Sequence, residues 1–250
     1  MKNSGKALVF MVVIVVVCVA TYMALTRERN RYRTDFARRI ISEGPSEETT
    51  ESIEEVRRNI ALYEKKIEQH VRDAARTGAY WKILALRLQE RGLHGEALKA
   101  LDQALYYTPA DAALHYAVGL SAGVMAKSVR LFPGGDNTER EQYFAAAEAA
   151  YLRAIEIDGR YLRPRYGLGV LYVFELDRPA DAIPHLERYL EISRNDIDTI
   201  FVLARAFYML GNYQAAVELY DRIITLTKDE QKRVEAQNNK QVVMERIYGG

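Results

Sequence analysis

The sequence predicts an all-α protein: a helical solenoid of about four helix-turn-helix repeats, closed by a capping helix and preceded by an N-terminal transmembrane helix. Three observations carry this expectation. One pattern of large and small residues returns four times between residues 78 and 230. Within it, apolar residues recur every three or four positions, the period of a helix with one buried face. Residues 7–25 form a run of 19 without a charge.

At about 1.5 Å rise per residue, that run makes a helix roughly 28 Å long, near the ~30 Å hydrocarbon thickness of a bilayer. Its many Val and Ile residues are no objection, because lipid forbids unpaired backbone groups and enforces helix. Residues 1–26 therefore read as a permanent anchor with a short basic head, Lys2 and Lys6. A cleaved signal peptide needs small residues at the end of a shorter run, and Cys18-Val19-Ala20 matches poorly. Lipidation at Cys18 resembles the bacterial lipoprotein pattern, but Val17 stands where that pattern takes a small residue. Six Arg between positions 27 and 39 face only Glu28 and Asp35, a local charge of +4. This excess favours a cytoplasmic repeat domain, although anchors with a basic head also export the domains they carry.

Setting these residues aside with Lys2 and Lys6 leaves 27 positive and 32 negative side chains, a net of −5. A mildly acidic domain lacks the basic footprint that phosphate neutralisation requires, so no nucleic-acid partner is expected. The single cysteine, Cys18, lies in the apolar run. The remainder thus has neither disulfides nor thiolate metal ligands.

Residues 27–51 read as an Arg-rich juxtamembrane segment broken at Gly44-Pro45, followed by an acidic linker. Ser52 and Glu55 then form a capping box opening an amphipathic helix over 52–77. Ile53, Val56, Ile60, Tyr63, Ile67, Val71 and Ala74 make one stripe along it. Two readings of the stripe stand: a helix docked on the first repeat, or a short coiled coil giving weak dimerisation through 53–74. His70 interrupts the strict heptad.

The four copies occupy residues 78–111, 112–161, 162–196 and 197–230. Trp81, Leu84, Ala85, Leu88, Ala97, Leu101, Ala104 and Pro109 define the first. The second has His115, Val118, Gly119 and Ala122, then Ala147, Tyr151, Ala154 and Gly159. The third has Arg165, Leu168, Gly169 and Tyr172, then Ala182, Leu186, Tyr189 and Arg194. The fourth has Ile200, Leu203, Ala204, Phe207, Ala216, Tyr220, Ile223 and Lys228. The leading positions are separated by 34, 50 and 35 residues. This arrangement resembles the tetratricopeptide-repeat family, whose 34-residue unit is a pair of antiparallel helices. The resemblance covers about 150 residues and implies a right-handed solenoid. Small residues such as Ala85, Gly119, Gly169, Ala204 and Ala216 let helices approach, while Leu84, Tyr151, Leu168, Phe207 and Tyr220 fill the space between neighbours. Tyr189 and Ile223 replace small residues and imply wider local packing, and Pro184 removes one helical hydrogen bond. Residues 231–250 are expected to shield the last repeat, through Val234, Val242, Val243 and Ile247.

The second copy carries 16 extra residues between its helices. They are expected to lengthen its first helix over 126–130, form a turn, and restart at a capping box of Thr138 and Glu141. The turn offers Leu131 and Phe132, which are either a loop contact for a partner or packed on helix ends. Its Pro-Gly-Gly lacks the spacing and the Lys of a phosphate loop.

No catalytic, cofactor or metal constellation is apparent. His70, His94, His115 and His185 fall on different elements, and the metalloprotease, nucleophile-elbow, P-loop and dinucleotide patterns are missing. The chain is not expected to be an enzyme. The resemblance instead implies a concave groove lined by the first helix of each repeat and filled by extended or helical segments of partner proteins. Carried over position by position, this groove is Lys82, Leu86 and Gln89; Tyr116, Leu120 and Gly123; Tyr166, Val170 and Phe174; Phe201, Arg205 and Met209. Family members that clamp a terminal carboxylate use Asn where this chain has Ile83, Ala117, Gly167 and Val202, so that use is not expected. The function expected is a membrane-tethered adaptor. The alternative is a ligand-binding accessory of an envelope transport system, which a deep pocket bounded by Tyr116, Tyr166 and Phe201 would favour over an open groove.

Overall fold

The computed structural model describes residues 52–129 and 137–249. The expected anchor over 7–25, the Arg-rich segment, and Leu131 and Phe132 lie outside the described residues. Among those described, no helix is long and apolar enough to cross a membrane. The chain divides into two compact units, 1–65 and 66–250. In the first, the described residues are the start of a helix; the second holds a solenoid built only of helices.

The described elements are nine helices: α1 (Ile53–Glu90), α2 (His94–Tyr107), α3 (Ala112–Ser128), α4 (Thr138–Ile157), α5 (Arg163–Phe174), α6 (Pro179–Ile192), α7 (Ile197–Met209), α8 (Tyr213–Leu226) and α9 (Glu230–Tyr248). Consecutive helices from α2 onward pack on each other, and α3 also meets α5, as α5 meets α7. The first helices of repeats two, three and four therefore share one wall.

The capping box forms as the sequence indicates. Ser52 N–H donates to Glu55 Oε2 at 2.8 Å and Glu55 N–H donates to Ser52 Oγ at 3.3 Å. At three later junctions an aspartate does this work: Asp111, Asp196 and Asp229 each accept N–H groups of the following first turn. α1 is stopped just before Gly92, which lies in the left-handed region at φ +74°, and Leu93 N–H reaches back to Leu88 O at 2.9 Å. α7 ends the same way at Gly211, with Asn212 N–H on Phe207 O. In the third repeat Asp177 takes this conformation, at φ 52°.

Several expectations need correction. The boundary at 77/78 is not an end of helix, since α1 runs through it. Gly78 serves close approach: a Cβ there would lie 2.7 Å from Tyr107 Cβ. No residue from Ile53 to Thr77 is buried, and Ile67 and Val71 are exposed, so within the second unit the stripe is not docked on the first repeat. Leu84 is 44% exposed rather than a filler. The insertion lengthens both helices of its repeat, to 17 and 20 residues, and α4 starts at Thr138 with Asn137 at the cap position. α9 is held by Ala236 and Val243, while Val234, Val242 and Ile247 face outward.

The core divides at α3. Ala85, Ala100, Leu101, Ala104, Leu114 and Ala117 form a small cluster flanked by Trp81 and Leu88. A larger one runs from Ala122 through repeats three and four to Val243. Pro184 stays inside α6. Beside it His185 Nδ1 and Arg165 Nε are buried without hydrogen-bond partners among the described residues. Burial and the Arg165 guanidinium hold the His185 imidazole below its usual 6.5, against the pull of Asp181. The unfolded chain therefore takes up this proton more readily, so stability is complete above about pH 6.5 and falls as pH drops toward the folded value. We expect the melting temperature to fall between about pH 7.5 and about pH 5, with a smaller fall in His185→Gln. Equal losses in the two proteins would exclude the imidazole as a source.

Candidate functional site

The expected groove residues separate into three groups. Two of the three from the first repeat, Lys82 and Gln89, join helices. Lys82 Nζ donates to Asp111 Oδ2 at 2.5 Å. Burial works against the Asp111 charge, but Lys82 and the N–H groups of Leu114 and Ala113 outweigh it and keep the carboxyl below its usual value. Gln89 Nε2 donates to Ala117 O at 2.8 Å and to Ser121 Oγ at 2.7 Å, tying α1 to α3. Leu86 is exposed.

The residues of repeats two and three come together. Tyr116, Leu120 and Gly123 of α3 and Tyr166 and Val170 of α5 line one cleft of about 180 Å³, floored by α4. The floor is Tyr151, 6% exposed, whose ring lies against both Gly119 and Gly167. A Cβ on Gly167 would sit 2.7 Å from Tyr151 Cζ, and one on Gly119 would overlap the ring edge. Two glycines on facing helices thus let one large side chain span the seam between repeats. Tyr116 stands 5.9 Å from the Tyr151 ring and 5.5 Å from Tyr161, and Tyr166 stands 6.2 Å from Tyr189. Burial, with Tyr116 adding to it, pushes the Tyr151 phenol far up, and burial likewise raises Tyr166. The lining is therefore neutral and aromatic. Leu120 and Val124 keep about two-fifths of their surface in water, exposure that an apolar guest could remove.

Charge appears only at one end. Lys127 Nζ lies 2.6 Å from Glu175 Oε1, and both residues line the cleft. Arg140 reaches Glu175 Oε2 at 3.7 Å and stacks over the Phe144 ring at 5.1 Å.

The remaining expected residues lie elsewhere. Phe174, the last residue of α5, is 55% exposed. Phe201 packs 6.3 Å from Tyr220, Arg205 covers the Tyr208 ring at 5.2 Å, and Met209 leans on the core. None of these four lines the cleft. Sequence reasoning missed Val124, Lys127, Tyr151, Gly167 and Glu175. Lys127 was within reach: the series 116, 120, 123 continues one turn to 127 once α3 is known to extend there. Tyr151 and Gly167 needed the packing.

Among the described residues, no group of three His, Cys, Asp or Glu is placed to hold a metal ion. The cleft has no paired carboxylates and no nucleophile beside a base. Its chemistry is desolvation, with an ionic end.

A tetratricopeptide-repeat family model matches residues 173–237, from the end of α5 into α9. Solved structures share the fold. YrrB, described as a TPR protein with an unusual peptide-binding site, is 19% identical, with a TM-score of 0.54 over 67% of this chain and 76% of its own. MamA from Desulfovibrio magneticus RS-1 is 15% identical, with a TM-score of 0.53 over 70% and 98%. A thermophilic TPR protein of Thermus thermophilus is 17% identical, with a TM-score of 0.54 over 73% and 95%. Among curated proteins, anaphase-promoting complex subunit 3 of Schizosaccharomyces pombe is 26% identical over 146 residues. That match takes in 58% of this chain and 19% of the relative, so the chain spans about a fifth of that protein's length. The fold is a tetratricopeptide-like solenoid, and the sequence match to the tetratricopeptide-repeat family is over residues 173–237. Proteins of this fold generally mediate protein–protein interactions.

Proposed function

We propose that this chain is a membrane-tethered scaffold that captures a segment of a partner protein on the wall formed by α3 and α5. The observation that carries the reading is the size and lining of the cleft. Its roughly 180 Å³ is close to the ~150 Å³ apolar cavity that takes up one benzene. It falls short of the ~300–1,000 Å³ of small-molecule pockets. A site of this kind suits one apolar or aromatic side chain presented by a longer chain, the usual anchor of a protein interface. The wider depression at the turns, about 800 Å³ between Thr108 and Tyr161, has exposed Pro109, Ala110 and Asp158 in its walls. It gives a transport ligand no enclosure, and Phe201 stands outside the cleft. The accessory-protein reading therefore has less support than the adaptor.

The tether rests on the charge-free run over 7–25, and the cytoplasmic side on the six Arg beyond it. Alkaline carbonate extraction of native membranes should leave the full-length chain in the pellet. A soluble chain, or a mature N-terminus near Ala20, would remove the anchor. For the cleft, the full chain is used to co-purify partners from solubilised membranes. Tyr166→Ala should weaken capture roughly thirty-fold, the value of about 2 kcal/mol for a central aromatic anchor. Phe201→Ala, outside the cleft, should capture as the parent does. Melting temperatures of both variants separate lost contact from lost fold, since each ring also packs on the core. Equal capture by the two variants would place the partner elsewhere.

A further inference from the structure

The cleft has a polarity along its length. On α3, Leu120 and Val124 are followed one turn later by Lys127, whose side chain is more than half exposed. On the floor helix, the Arg140 guanidinium carbon stands 5.1 Å from the ring centre of Phe144, itself part of the lining. These two cations converge on one carboxylate, Glu175, which is only 13% exposed. Arg140 at 3.7 Å is outside hydrogen-bonding range of it. Lys127 spends one of three donors on Glu175, and the guanidinium has five donors in a planar fork suited to a second carboxylate. The apolar end is neutral, so an excess of one positive charge stands at a single end of it. In a domain of net −5 this is a local exception. A partner that covers the cleft also covers Lys127, which lines it, with Arg140 next to it across Glu175, and leaving donors there unpaired would be costly.

We propose that the segment held here carries an acidic side chain beside its apolar anchor, the anchor entering the cleft beside Leu120 and Val170 and the carboxylate bridging Lys127 and Arg140. This rests on the cleft reading above and adds the chemical class of the partner. Spacing follows from the helix. Leu120 to Lys127 spans about 10 Å along α3, which an extended chain covers in about three residues. The acid therefore belongs about three positions from the anchor, within the segment rather than at a chain terminus.

The experiment selects a phage-displayed random-peptide library on the purified full-length chain. Fusion at the peptide's C-terminus leaves no free terminal carboxylate, so any acid selected is a side chain. Enriched sequences should pair Phe, Leu, Tyr or Trp with Asp or Glu at about that separation. Their affinity should fall as salt is raised. It should drop roughly five- to ten-fold in the double variant Lys127→Gln/Arg140→Gln, as expected for two partly exposed ion pairs. Because that change leaves Glu175 without its two cations, a triple variant adding Glu175→Gln should bind as weakly while melting close to the parent, which separates lost contact from lost fold. Anchors enriched without acids, or peptides indifferent to the double variant, overturn the proposal while leaving the cleft as the docking site. No enrichment, or peptides that still bind when Gly123→Leu fills the cleft, overturn the cleft reading too.

Discussion

Leu186→Ala should lower the melting temperature by roughly 5–15 °C. The residue is fully buried in α6, and its side chain occupies the notch left by Gly169 on α5, where a Cβ would overlap its Cγ and Cδ atoms. Truncating a Leu of this kind costs about 2–5 kcal/mol through lost transfer energy and the cavity left behind. For a domain of this size each kcal/mol moves the midpoint by about 2–4 °C. The converse change, Gly169→Ala, overpacks the same notch at about 1–3 kcal/mol. Since the added methyl and the deleted side chain compete for one space, the two changes should couple. The double variant should be more stable than the sum of the single losses predicts. Thermal unfolding of the four proteins, monitored by helical circular dichroism, measures this. Strict additivity would mean that the Gly169 notch is not where Leu186 packs.

The features legible in the sequence and those hidden from it divide along the range of the interactions. The capping box of Ser52 and Glu55 and the small residues Ala97, Ala104, Ala204 and Ala216 follow from spacing alone, because each acts within one helix or between consecutive ones. The same holds for Tyr116 and Leu120, or Tyr166 and Val170, which share a face because four residues make about one helical turn. Gly78 shows the limit. Placed where a repeat was expected to begin, it reads as a boundary, yet the helix continues and the missing side chain makes room for Tyr107. Leu84 carries the residue type of its position without the burial that Leu168 and Leu203 have at the equivalent positions. Gly119 and Gly167 are 48 positions apart, and only folding shows that they flank one tyrosine. Lys82 and Gln89 occupy groove positions but hold helices together. Periodicity reports the side of a helix, not which side chains already have partners there.

Gly123 offers the test in which binding and stability should move in opposite directions. It lies within α3, lines the cleft, and a Cβ built on it meets nothing within 4 Å. Glycine inside a helix costs about 0.8–1.0 kcal/mol relative to Ala, and Leu is nearly as good a helix former as Ala. Gly123→Leu should therefore melt with the parent or about 2–4 °C above it. Its side chain, however, points into the space meant for the partner's anchor and fills much of a cleft of about 180 Å³. Capture should fall at least thirty-fold, since an anchor excluded from its pocket loses about 2 kcal/mol or more. Gly123→Ala is the control: it should gain the same helical stability and keep most of the capture, because a single methyl leaves the cleft largely open. Both quantities are read on the full-length chain, by thermal unfolding and by partner co-purification. A Leu variant that captures like the parent would remove the cleft from the binding surface. One that melts well below the parent would show that the space beside Gly123 is not open, and loss of capture would then report damage to α3 and not a blocked site.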